Sequence, residues 1–318
     1  MRVTTHPTDQ RTGFEKIVLV TRKTRLAELV ERFNTLAQAK FYIEHAGGDF
    51  QEYQLEDDAY RRSAEIVRRS LEVGLKFQEI DRGLVPTFTF LPEDLVITLG
   101  QDGLVANAAK YLGKQPLVAV NPDPERFDGI LLPFAPHQTG TALTKVIEGK
   151  CHIRSVTLAE ARMSDGQRLL AFNDLFLGAQ THVSARYRIR WAKNEEPQSS
   201  SGVLVSTGAG STGWVSSVFN MASGVAALTG GHEVKPIRLG WEDRRLLFVV
   251  REPFVSRHSK ASIVAGIVEQ QQVLELESMM PSGGVIFSDG IEADFLQFNS
   301  GSSVIVKAAS ETAQLVVG

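Results

Sequence analysis

The periodic part of the chain opens with a short β-branched run, Lys16–Thr21 (KIVLVT), which predicts a buried strand. Leu26, Leu29, Val30, Phe33 and Leu36 then recur at helical spacing. They predict one helix from a Thr24 cap to about His45, stopped by Gly47-Gly48. A second helix is expected over Asp57–Leu75, with Asp57 and Asp58 at the positive end of its dipole. Phe77–Ile80 and Asp94–Leu99 read as strands. Gly100–Gly103 turns into a helix over Leu104–Leu112, and Pro116–Asn121 is the next strand. The order β-α-α-β-β-α-β predicts an α/β layer on a mostly parallel sheet.

The pattern changes after about Pro133. One helix, Gln138–Glu148, precedes many short alternating segments: Cys151–Met163, Arg168–Gly178, His182–Ala192, Gly202–Ser206, Arg245–Val250, Gln272–Glu277, Gly284–Phe287, Phe295–Phe298 and Ser303–Lys307. That spacing predicts a β-rich domain. A further helix is expected over Ser211–Ser223, and Lys193–Ser201 (KNEEPQSSS) reads as an exposed hairpin loop. The expected division is an α/β domain over residues 1–133 and a β-rich domain over 134–318, its end packing back on the first.

Composition narrows the function classes. The 318 residues carry 34 basic and 37 acidic side chains, a net charge of -3, which excludes a generally basic nucleic-acid coat. The single cysteine, Cys151, excludes an intrachain disulfide and a Cys-based zinc site. No run reaches the ~18 apolar residues of a membrane span. The segment MRVTTHPTDQRTGFEK lacks a signal-peptide core, and Arg2 and Arg11 alone do not make a transit peptide. A cytoplasmic protein with a loose N-terminal tail is expected.

Several segments carry candidate chemistry. Gly100-Gln101-Asp102-Gly103 stands between a strand and a helix, where glycines let the backbone approach a phosphate and the helix N-terminus offers N–H groups. Asp102 would repel a phosphate there. It reads either as a base for a hydroxyl proton or a handle for Mg²⁺, or simply as the helix N-cap. Asn173-Asp174 lies inside the apolar strand LLAFNDLFLG, where polar groups need partners. It fits a ligand contact or a hydrogen-bonded bulge or strand end. Val205–Trp214 (VSTGAGSTGW) offers N–H groups and hydroxyls without the Gly-Lys-Ser/Thr ending of a Walker A loop. Asn121-Pro-Asp123-Pro-Glu125-Arg126 follows a strand end and fits a ligand site or a stiff linker. Ser288-Asp289-Gly290 by itself reads as a tight turn. The seven histidines have no zinc-hydrolase spacing, and no Gly-x-Ser-x-Gly elbow is present.

Taken in order, six segments resemble the NAD kinase family, most closely the mitochondrial-type enzymes and their bacterial relatives. They are LGQDG (99–103), VNPDPERFDGILLP (120–133), AFNDLFLG (171–178), SSGVLVSTGAGSTGW (200–214), FVVREPF (248–254) and FSDGIEADF (287–295). The resemblance implies an α/β domain followed by a β-rich domain, with NAD bound in the cleft between them. It implies that ATP with Mg²⁺ phosphorylates the 2′-hydroxyl of the adenosine ribose to give NADP. Homodimers or higher homo-oligomers are implied, with neither nucleic acid nor membrane as a partner. By this likeness Asp102 matches the catalytic aspartate, and Gly100, Gln101 and Gly103 occupy the phosphate-binding turn. Asn121 falls near the nicotinamide-side phosphates. Asn173 and Asp174 match an Asn-Glu pair at the NAD ribose and adenine. Thr207, Gly210, Ser211, Thr212 and Trp214 match a loop on the adenine side.

Gln101 stands where the family has a second glycine. If the backbone there has positive φ, a side chain costs on the order of 1 kcal/mol. Two other outcomes fit the same residues: an NAD(H) or NADP sensor with little transfer activity, or a superfamily kinase acting on a sugar or a lipid. The 171–178 and 200–214 segments favour NAD.

Overall fold

A computed structural model describes residues 13–318; the N-terminal tail expected from the sequence lies outside them up to residue 12. Contacts divide the chain into two units. The first holds the described residues up to Ala108, together with Gln115–Arg154 and Leu315–Gly318. The second holds Ala109–Lys114 and Ser155–Gln314.

In the first unit β1 (Lys16–Thr21) leads into α1 (Arg25–Phe33) and α2 (Leu36–His45). The Thr24 hydroxyl caps α1 by accepting the Ala27 N–H at 3.1 Å. The single helix expected to run on to His45 is two. Asn34 adopts the left-handed region at φ 63°, and Thr35 caps the second helix through the Gln38 N–H. Next, α3 (Phe50–Ser70) starts at Phe50 rather than Asp57, because the Asp49 carboxylate caps it at the Gln51 N–H. After it come β2 (Lys76–Asp81), β3 (Asp94–Leu99), α4 (Asp102–Ala109), β4 (Pro116–Val120) and α5 (Thr139–Ile147).

The strands lie in the order β2-β1-β3-β4 and every pair is parallel, with Ile17 opposite Leu95 and Ile97 opposite Val118. β3 and β4 are buried along their whole length, as expected when helices cover both faces of a parallel sheet. Tyr60, Ala64 and Val67 of α3, with Ala142, Leu143 and Val146 of α5, close the core over Ile17, Leu19, Ile97 and Val118. Gly100 and Asn121 therefore fall at the C-terminal ends of neighbouring strands, where open α/β sheets bind ligands.

The second unit is a sandwich of two sheets. Its elements are β5 (His152–Met163), β6 (Arg168–Ala171), β7 (Asp174–Ala179), β8 (Ala185–Trp191), β9 (Asn194–Ser200), β10 (Gly202–Ser206) and α6 (Trp214–Leu228). They continue with β11 (Leu246–Arg251), β12 (Ala265–Val268), β13 (Leu274–Ser278), β14 (Gly284–Ser288), β15 (Ile291–Gln297) and β16 (Ser303–Val317). One sheet runs β12-β11-β10-β7-β14-β15, antiparallel throughout. The other runs β16-β13-β8-β9, with β5 on β16 and β6 on β5. Leu177, Val205, Phe248 and Ile286 of the first sheet pack against Tyr187, Ile189, Leu274 and Val306 of the second. α6 lies on the outer face of the first sheet, Val215 against Leu204 and Leu247. Residues 315–318 belong to the first unit, where Val316 joins the core.

Three expectations change here. The strand expected over Arg168–Gly178 is interrupted at Phe172-Asn173. The loop expected over Lys193–Ser201 is a strand, β9, paired along its whole length with β8. Its inward residues Glu196, Gln198 and Ser200 are buried and polar. Glu196 accepts the N–H groups of Ser262 and Ile263 and the Gln198 amide, and Gln198 accepts the Tyr187 hydroxyl. The carbonyls of Pro197 and Ser199 accept from Lys260 and Phe254. Finally, β12 was not anticipated, and β16 continues well past Lys307. Among the described residues no helix is long and apolar enough to cross a membrane.

Candidate functional site

In the first unit the chain leaves β3 at Gly100 and enters α4 at Asp102. Gly100 is confined: a Cβ there would lie 2.7 Å from Leu104 Cδ2, and its N–H donates to the Val120 carbonyl. Gly103 faces open space, with nothing within 4 Å of a Cβ position. The Leu104 N–H closes a turn on the Gln101 carbonyl at 2.8 Å. Gln101 is exposed and its backbone is not left-handed, so the strain anticipated for a non-glycine residue is absent. Asp102 is half-buried in the first turn of α4, and its Oδ1 accepts the Leu131 N–H at 2.9 Å.

Asn121, expected at a phosphate, is buried and serves its own loop. Its Nδ2 donates to the Phe127 carbonyl at 2.7 Å and its Oδ1 accepts the Asp123 N–H. Gly129, at φ 59°, passes so close that a Cβ would lie 2.8 Å from that nitrogen. Arg126, a candidate phosphate ligand by sequence, sits 3.5 Å from Asp123. A cation that the sequence reading missed stands nearer the turn. Arg22, just past β1, pairs with Glu56 at 3.1 Å, lies over the Tyr60 ring and passes beside Gly100. Its Nε is buried with no hydrogen-bond partner.

In the second unit Asn173 and Asp174 sit at the break between β6 and β7, so the polar pair falls at a strand end rather than mid-strand. The break is held by Asp289. Its Oδ1 accepts the N–H groups of Asn173 (2.6 Å) and Asp174 (3.2 Å), and its Oδ2 accepts that of Phe172 (3.0 Å). Asp289 takes φ 54° in the turn after β14, and its own N–H returns to the Asp174 carbonyl. By itself Ser288-Asp289-Gly290 reads in the sequence as a tight turn. The FSDG segment was the available signal.

Thr207 joins the glycine-rich loop to the same break. Its N–H donates to the Asn173 carbonyl, and its hydroxyl donates to the Phe172 carbonyl and accepts the Gly210 N–H. A Cβ on Gly210 would lie 2.3 Å from the Asn173 carbonyl oxygen, so glycine is required for this contact. Ser211 is buried and bonds back to Gly208, whereas Thr212 is exposed on the rim. The helix begins at Trp214, after a 3₁₀ turn over Ala209–Thr212. Trp214 stacks on Phe176, Phe176 stacks on Phe287, and the Arg251 guanidinium lies over the indole. This aromatic row walls a cleft of about 340 Å³ that Arg251, Glu292 and His182 also line.

Asp174 is 9% exposed and its Oδ1 has no hydrogen-bond partner. Burial pushes its carboxyl up to about 7. The Ser206 hydroxyl pulls it down, and the Asp289 charge adds to the rise. An unsatisfied carboxylate oxygen this deep is costly unless something supplies donors to it, and a pair of sugar hydroxyls would.

The structure thus gathers Gly100, Gln101, Asp102 and Gly103 on one strand-to-helix turn. It gathers Asn173, Asp174, Thr207, Gly210 and Ser211 into a second knot with Trp214 beside it.

No model of a known protein family matches the chain, and no curated protein resembles it in sequence. Solved structures do match in fold. Yeast NADH kinase complexed with NADH superposes with a TM-score of 0.59 at 16% identity, covering 99% of this chain and 88% of that one. An NAD kinase from Archaeoglobus fulgidus in complex with ATP superposes with a TM-score of 0.52 at 15% identity, covering 94% and 92%. The chain has the fold of the NAD kinases: an α/β part with a parallel sheet and a β-rich part with antiparallel sheets.

Proposed function

We propose that this protein is an NAD kinase, transferring the γ-phosphoryl group of ATP to the 2′-hydroxyl of the adenosine ribose of NAD or NADH. The observation that carries the proposal is Asp102, a carboxylate held at the N-terminus of α4 on a glycine turn, in a chain whose described residues follow the NAD kinase fold. Phosphoryl transfer asks the protein mainly for positioning and charge stabilisation. Asp102 orients the ribose hydroxyl and accepts its proton. The N–H groups of Gln101, Asp102 and Gly103 face the donor phosphates, where Gly103 leaves room and Arg22 supplies positive charge. Asp174 accepts from ribose hydroxyls through its unpartnered oxygen. Asn173 and the 207–214 loop hold the adenine side of the acceptor.

Among the described residues no three acidic, His or Cys side chains form a metal cage. Mg²⁺ carried on ATP would be held by the phosphates and water, which leaves the free Asp102 oxygen to the ribose hydroxyl. When bound, the ion neutralises charge on the transferred phosphoryl group.

The test is NADP and NADPH formation from NAD or NADH with ATP and Mg²⁺, beside the Asp102→Asn protein. Turnover that the mutant loses supports the proposal. Dinucleotide binding without turnover identifies a sensor instead.

A further inference from the structure

Lys110 directly follows α4 and belongs to the second unit. Only 1% of its side chain is exposed. Its ammonium donates to the Ser288 hydroxyl at 2.7 Å and lies 3.5 Å from Asp294, which also takes the Tyr111 hydroxyl. Burial lowers the Lys110 pKa, and the charges of Asp289 and Asp294 oppose that shift. Burial raises the Asp289 carboxyl, while Lys110 and the three N–H groups it accepts pull it down. A buried ammonium group is a poor source of stability compared with an apolar side chain of similar volume, so this cluster asks for another reason to exist. The reason is visible in what Asp289 holds: the backbone of Phe172, Asn173 and Asp174, all three on one carboxylate.

We propose that Lys110 and Asp289 are positioning residues for the acceptor nucleotide. Lys110, bonded to the adjacent Ser288, favours the charged form of Asp289, and Asp289 fixes the strand break that aims the Asn173 and Asp174 side chains. That the aimed residues meet NAD rests on the function proposed above; the clamp itself does not. The charged and titratable groups facing Asp289 are Lys110 and Asp174, with Asp294 and Tyr111 behind Lys110.

Two readouts on the full chain test this. Hydrogen exchange at residues 172–174 is compared among wild type, Lys110→Met and Asp289→Asn. NAD affinity is titrated by calorimetry from about pH 6 to about pH 9. Exchange should rise about tenfold or more at 172–174 in both variants while the sandwich core stays protected. NAD binding should weaken about tenfold near pH 7 in both variants. Measured against wild type at the same pH, the deficit should close toward high pH only in Lys110→Met, which still has the Asp289 carboxylate to ionise. Unchanged exchange at 172–174 overturns the clamp. An affinity loss in Lys110→Met that is equal at every pH also overturns it, because that marks lost packing. If wild type binds no dinucleotide while exchange still rises, the clamp stands and the acceptor reading falls. Should Lys110→Met fail to fold, Asp289→Asn carries the exchange test alone, and unaltered protection there overturns the proposal.

Discussion

The Asp102 carboxylate accepts the backbone N–H of Leu131 at 2.9 Å, which ties the first turn of α4 to the loop after β4. One oxygen thus sets the direction of the other. In Asp102→Asn the amide oxygen can keep this bond, so melting should stay within a few degrees of wild type. NADP formation should fall by about 10²–10⁴-fold, the usual worth of a positioned acid–base group, with NAD binding kept. Near-normal turnover in that variant would remove Asp102 from the mechanism.

Asp174 predicts a pH dependence. Its folded pKa of about 7 lies above the usual carboxylate range, so the group is neutral below that value and charged above it. NAD affinity should climb as pH rises from about 6 to about 8 if the carboxylate accepts ribose hydroxyls. Stability should move the other way. The unfolded chain ionises this group near pH ~4, so its contribution is fully present below that and declines as pH rises through 7. Asp174→Asn should flatten the affinity profile and lose less stability in urea between about pH 5 and about pH 8. A binding profile equally steep in the variant would place the titrating group elsewhere.

Gly210→Ala should be damaging out of proportion to one methyl group. The added Cβ would meet the Asn173 carbonyl oxygen at 2.3 Å and the Ser206 hydroxyl at 2.6 Å, both in the knot around Thr207. A destabilisation of about 1–3 kcal/mol is expected, accompanied by loss of NAD binding. Denaturant midpoints and calorimetry on one preparation check both, and a wild-type midpoint would show that the loop has room.

Gln101→Gly is expected to gain no stability. Gln101 is not in the left-handed region, so glycine relieves no strain and adds only unfolded-state entropy, up to about 1 kcal/mol of loss. Restored glycine could still change the apparent affinity for ATP, because residue 101 is exposed at the turn. Thermal melts and ATP titrations separate these two effects. A raised melting temperature would contradict the backbone argument.

Local chemistry made much of this molecule readable from its sequence. The β-branched run at Lys16, the Thr24 cap and the glycine turn after Leu99 each act within a few residues, and each is where the sequence puts it. What escaped depended on distant partners. The Asn34-Thr35 pair can sit in a helix or break one, and packing of Ala39 and Ile43 against Leu26 selects the break. NEEPQSS has no apolar side to suggest a strand, and it becomes one only because Tyr187, Ser262 and Ile263 satisfy its polar side. Within the candidate site, Asp102, Asn173, Asp174 and the 207–214 loop could be named from their motifs. Asp289 could not be assigned its clamp, since its three donors lie more than a hundred positions away. Nothing in the Leu104–Leu112 run marks Lys110, because its acidic partner Asp294 lies far along the chain.

The polar underside of β9 also bears on how this protein misassembles, or avoids doing so. Glu196 needs the Ser262 and Ile263 amides, which arrive from more than sixty residues downstream. A nascent chain released before those residues exist holds a hydrophilic segment there, with no sticky ribbon to recruit neighbours. Once folded, the outward carbonyls of Pro197 and Ser199 are already occupied by Lys260 and Phe254. A foreign strand arriving at that margin finds a proline and two spent acceptors, so this border of the sheet is a poor seed for fibrils.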